Sequence, residues 1–294
     1  MLHRSSPAYV GLTLLWGFSF VLVRAVVDGF GWATAVSLSC LLIGATVAVL
    51  AVLKGASLRY RLRWRRLVLL GTGIAVQFIG LSISVAHLGT ALAAAAVGTV
   101  PLFSAVIGQM WGLERITGTA AAGLVTGFIG IVVVVLFPAG GISWDFIVGM
   151  FAGLVSAIAG AMSSRYAAAR LSSSGPAELV SASFLVAGVL TAPLALLLPG
   201  PGDADLLHWI GLLLLGVLLG GVGYTMELGL RESSGAPFAT SARSGATMVA
   251  VFLGIIFLRE SISFGQLVGV LMLIGGCLLV LGLVPSRSAP ARRR

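Results

Sequence analysis

A few polar and aromatic side chains in this sequence stand inside long apolar stretches. At the centre of a bilayer an ionisable group costs on the order of 2.5–3.5 kcal/mol. Arg243 is foremost among them. Thr240, Ser241, Ser244 and Thr247 flank it, and no acid is near it in sequence. It either snorkels to the membrane surface or faces a wet cavity, where its planar fork could receive a carboxylate. Arg24 and Glu227 each have an opposite charge four residues on, at Asp28 and Arg231, the spacing of a helical ion pair. Gly73, Gln77, Gly80, Ser84 and His87 recur at three- and four-residue steps and so share one helix face. That face either packs closely on another helix or lines a cavity. The Gln77 amide needs partners in either case, and His87 is either a proton carrier or an interfacial group. Trp16 sits mid-segment with an indole N–H to satisfy. Pro101 interrupts Val97-Gly98-Thr99-Val100-Pro101, where a proline frees a carbonyl and bends a helix.

The elements that must position these groups are membrane spans. The chain has 294 residues, 59% of them hydrophobic and 9% charged, and a mean hydropathy of +1.11. An ordinary soluble domain is about 25% charged. Apolar segments near 8–27, 33–53, 67–88, 91–111, 118–136, 146–166, 177–198, 207–229, 237–258 and 264–284 predict ten helices. Turn chemistry punctuates them at Phe137-Pro138-Ala139-Gly140-Gly141 and at Leu198-Pro199-Gly200-Pro201-Gly202. The first segment is too long for a cleavable signal and is expected to be the first span.

The net charge of +9 is placed, not spread. With the N-terminus inside, the inner segments hold Arg4, then Lys54, Arg59, Arg61, Arg63, Arg65 and Arg66, then Arg115, Arg165, Arg170 and Arg231, and finally Arg287 and Arg292 to Arg294. These are fifteen of the eighteen basic residues. The outer loops carry Asp28, Asp145, Asp203 and Asp205 instead. Both termini are therefore expected in the cytoplasm. The run from Arg59 to Arg66 suits anionic headgroups, and nucleic acid is not expected as a partner. Cys40 and Cys277 lie in apolar spans and form no disulfide or metal framework. No acid is expected near the bilayer centre. No phosphate-binding Gly-Lys motif points to ATP, and no His, Glu and Cys cluster points to catalysis or a metal. No cofactor is expected.

The second half repeats the first at an offset of 146 residues. Gly89 falls on Gly235, Ala96 on Ala242, Gly108 on Gly254, Glu114 on Glu260, Ile116 on Ile262, Gly123 on Gly269 and Gly130 on Gly276. Tyr224 falls on Phe78, and Thr247 on Pro101. Five spans per copy would insert the second copy upside down, and such inverted repeats mark secondary transporters. The repeats divide the chain at 1–140 and 141–294.

Trp16-Gly17, Thr99-Val100-Pro101-Leu102-Phe103, and Glu114-Arg115-Ile116 followed by Gly123 and Gly130 resemble the EamA domain of the drug/metabolite transporter superfamily. Arg259-Glu260-Ser261-Ile262 followed by Gly269 and Gly276 supplies a second copy. The resemblance implies an all-α integral membrane protein of ten helices in two inverted five-helix repeats. Its cavity would be lined by spans 1, 3, 4, 6, 8 and 9, with spans 5 and 10 peripheral. Within the superfamily the chain resembles amino-acid and metabolite exporters, particularly the YddG-type exporters of aromatic amino acids. The substrate-binding residues this implies are Trp16, Gln77, His87, Pro101, Tyr224, Arg243 and Ser244. The expected function is alternating-access export of small metabolites, most specifically amino acids with aromatic or apolar side chains, from a bacterial inner membrane. A drug or sugar exporter is the alternative.

Overall fold

The computed structural model describes residues 2–56, 58, 64–171, 175–198, 200–234 and 236–282, with the backbone alone at 2–6, 236–238 and 240. Arg59, Arg61, Arg63, Arg287, Arg292 to Arg294, Pro199 and Gly235 lie outside the described residues, as do the side chains of Arg4 and Thr240.

The described residues form ten helices and no strand. They are α1 Leu2–Phe30, α2 Trp32–Leu53, α3 Trp64–Val97, α4 Val100–Met110 and α5 Gly118–Leu136. The second half holds α6 Trp144–Arg170, α7 Pro176–Leu197, α8 Leu206–Ser234, α9 Ala236–Ile256 and α10 Phe264–Val280. Seven are long and apolar enough to cross a membrane, and Val100–Met110, Ser241–Ile256 and Phe264–Val280 are shorter apolar helices.

Local chemistry sets the helix ends. Thr117 and Ser143 accept backbone N–H bonds as N-caps of α5 and α6. Asp205 with His208 and Ser263 with Gln266 close reciprocal capping pairs at the starts of α8 and α10. The fourth span, expected over 91–111 with a bend at Pro101, comes in two pieces. Helical structure runs on from α3 through Gly89, whose φ of 79° only glycine takes freely, and that residue turns the chain back. Residues 90–97 and α4 then make one span, broken at Gly98 and Thr99 just ahead of Pro101. Pro101 has no N–H to give to the Val97 carbonyl, so the break lies within the turn N-terminal to the proline. In α8, residues Leu214–Val222 form a wider π-helical segment, which hydropathy did not announce.

Packing follows the repeat. The main helix pairs are α3 with α6, α5 with α10, α2 with α7 and α1 with α9. Exchanging each helix for its mate in the other half maps α2–α7 and α5–α10 onto themselves. It maps α3–α6 onto α8–α1 and α1–α9 onto α6–α4, which are also packed pairs. The α5–α10 seam shows the same reciprocity at the residue level. A methyl group on Gly123 would lie 2.7 Å from the Gly276 carbonyl oxygen, and one on Gly130 2.6 Å from that of Gly269. These glycines are offset mates, so each contact is the other turned over. Between helices in lipid, close backbone approach at small residues replaces the hydrophobic drive.

Candidate functional site

Trp16 on α1, Tyr224 and Glu227 on α8, and Arg243 on α9 converge. The Glu227 carboxylate is 2% exposed. One oxygen accepts from Arg231, and the other from Arg243 Nη2 at 3.0 Å. Two guanidinium groups thus share one carboxylate, and the cluster carries one net positive charge. Glu227 lies seven residues from the end of α8 at Ser234, roughly 10 Å along the axis. Its second arginine comes from the next helix.

Arg243 is not wholly consumed by that pair. Its side chain remains 31% exposed. Its guanidinium lies 4.6 Å from the Trp16 ring centroid and 5.5 Å from that of Tyr224. A cation over aromatic rings is favourable and holds the fork in place. Trp16 gains its position because Gly223 has no side chain, and a methyl group there would lie 2.9 Å from the indole nitrogen. From Trp16 the aromatic wall continues through Tyr224 and Phe184 to Phe78, with ring centroids 5.7, 4.9 and 5.2 Å apart. Ser244, beside Arg243, is buried with its hydroxyl unbonded.

The other candidates fall elsewhere. The Gly73 to His87 face is the seam against α6. A methyl group on Gly80 would strike the Ala152 carbonyl oxygen at 2.5 Å, and Gln77 lies against Gly160. The Gln77 backbone carbonyl accepts from the Ser156 hydroxyl. Small residues at that spacing served close packing. His87 sits at the end of this seam with Nδ1 2.9 Å from the Asp145 carboxylate. Pro101 is buried at the start of α4. Arg24 pairs with Asp28 at 2.9 Å, as its spacing predicts, and also donates to the Val85 and Ala86 carbonyls. Phe184 was not among the expected residues, and only its aromatic type in an apolar span hints at a role. The Glu227–Arg243 pair, sixteen residues apart across a turn, leaves no periodic trace. Among the described residues, no three of His, Cys, Asp and Glu converge to hold a metal.

The profile of the EamA-like transporter family matches the chain twice, at residues 8–136 and 147–282. No curated protein matches it. Among solved structures, one titled "Crystal structure of protein" is similar over 97% of this chain and 99% of its own, with a TM-score of 0.71 and 17% identity. That likeness speaks to the fold alone. The two profile matches cover both halves, each with its own glutamate turn and glycine-paired helix. The chain therefore belongs to the EamA-like transporter family, as a multi-pass membrane transporter built from two copies of one domain.

Proposed function

We propose that this transporter exports small metabolites bearing a carboxylate, specifically amino acids with aromatic or apolar side chains. Trp16, Tyr224, Arg243 and Ser244 would form the binding site. One observation carries the reading. A part-exposed guanidinium, lying over two aromatic rings, belongs to a cluster with one net positive charge. A substrate carboxylate would neutralise that excess, and the rings would receive an apolar side chain. Such a cluster repels a cationic substrate.

The two repeats, 1–140 and 141–294, would lie inverted in a bacterial inner membrane with both termini cytoplasmic. They would alternate access to the site from either face. The reciprocal helix pairing supports that arrangement. Protein in liposomes preloaded with unlabelled phenylalanine or methionine should accumulate the labelled amino acid by saturable counterflow. A response confined to cationic dyes or to sugars rejects the substrate reading.

A further inference from the structure

The glutamates at the two equivalent turns occupy different states. The two turns share one backbone bond, since the Glu260 N–H donates to the Gly254 carbonyl and the Glu114 N–H to that of Gly108, its offset mate, although their left-handed residues, Arg259 and Gly112, are not mates. The carboxylates diverge. Glu260 reaches across the repeats and accepts the Thr90 and Ala91 N–H groups at 2.6 and 2.8 Å, capping the helix start after Gly89. Its carboxylate lies in a slot that two glycines keep open. A methyl group on Gly89 or on Gly254 would come within 2.6 Å of it. The equivalent slot on the other face would bring Glu114 to the start of α9, with Gly108 beside it. Instead both Glu114 oxygens bond the Arg165 guanidinium. That guanidinium covers Gly108, where a methyl group would lie 3.1 Å from its central carbon.

We infer that Glu260 and Glu114 are alternating latches of the transport cycle, and that Arg165 holds the second latch open. In the state observed, Glu260 clamps the face that carries the α9–α10 turn. In the opposite state Glu260 leaves its slot, and Glu114 exchanges Arg165 for the N-terminus of α9. The two latches are unequal for a reason visible in the chain. The offset mates of Thr90 and Ala91 are Ala236 and Pro237, and a proline has no N–H to give. Glu260 thus has two backbone donors where Glu114 has one, so the Glu260 latch closes by preference.

The proposal rests on the transporter reading, but its test reads conformation without substrate. Spin labels at His87 and Leu258 report the Glu260 face, and labels at Leu113 and Glu232 report the other. Cys40 and Cys277 are buried and stay unlabelled. Electron-electron resonance distances in the full chain should respond to Glu260→Gln and Arg165→Gln alike. The first pair should lengthen and the second shorten. Gly254→Ala, which evicts the carboxylate sterically, should reproduce Glu260→Gln. Pro237→Ala should shift the same way by restoring the missing donor. Distributions that superimpose on the unsubstituted protein in all four variants overturn the latch. Absence of counterflow in the unsubstituted protein would instead count against the transporter reading, whatever the distances show.

Discussion

Arg243 and Glu227 answer to different tests because they differ in exposure. Arg243→Lys keeps a charge for Glu227 but loses the broad guanidinium lying over Trp16 and Tyr224. It should leave folded yield unchanged while weakening uptake of a carboxylate substrate about tenfold, on the scale of roughly 1–2 kcal/mol for a partly desolvated cation–π contact. Glu227→Gln leaves two arginines facing each other without their shared acid. Breaking a fully buried pair costs about 3–5 kcal/mol. Arg243 and Arg231 keep 31% and 41% of their side-chain exposure, so a smaller loss is expected here. Thermal denaturation in detergent should show Glu227→Gln melting below Arg243→Lys, and the reverse order would refute the assignment. At the start of α8, the Asp205 carboxyl lies below its usual range, chiefly because the His208 N–H donates to it. A depressed carboxyl contributes stability above its unfolded value, near 3.9, and loses it as pH falls through the folded value. Melting temperature should therefore drop on acidification less steeply in Asp205→Asn than in the unsubstituted chain.

The α5–α10 seam concentrates what glycine does for this fold. Gly130→Ala would place a methyl group 2.6 Å from the Gly269 carbonyl oxygen and 2.7 Å from the Leu273 nitrogen, both backbone atoms with little room to move. Overpacking of this kind costs about 1–3 kcal/mol, against about 0.8–1 kcal/mol gained from helix propensity. Gly275 meets nothing within 4 Å, so Gly275→Ala should be neutral or stabilising in the same melting assay, and equal effects at both positions would reject the seam. The seam's glycines stood out in the sequence as offset mates, but nothing there paired the two helices whose backbones cross at them. The sequence showed the spans, since every buried backbone group in lipid must be bonded internally and helices do so. It placed Gly73 to Ser84 on one face but could not name the partner, since a small residue fits a neighbouring helix and a cavity equally. Gly98 and Pro101 signalled a broken fourth span, whereas the π-helical stretch of α8 arises from packing that local sequence does not encode. The Glu227–Arg243 pair was hidden for a related reason: no spacing rule reaches from one helix to the next.

Across the whole molecule the two copies agree in the order and pairing of their helices and disagree in charge. The offset mates of Glu227, Arg231 and Arg243 are Leu81, Val85 and Val97. The polar cluster therefore has an apolar counterpart, where Val85 is wholly buried among Val23, Val26, Val27 and Ala93. Only one half supplies the charge a carboxylate would seek, and the other supplies a dry plug, so the site is asymmetric though its scaffold is nearly two-fold. Exchanging single residues between mates tests that division. Val85→Arg buries a cation in a cluster where Val85 has 0% exposure, at a cost of several kcal/mol, and should abolish monodisperse protein in size-exclusion chromatography. Arg231→Val is milder, because Glu227 keeps Arg243 and the arginine removed is 41% exposed. That variant should fold, but the cluster's net charge falls from one to zero, so selection for a carboxylate over its neutral amide should collapse in liposome counterflow. Retained selectivity in Arg231→Val would mean that the excess positive charge is not what recognises the substrate.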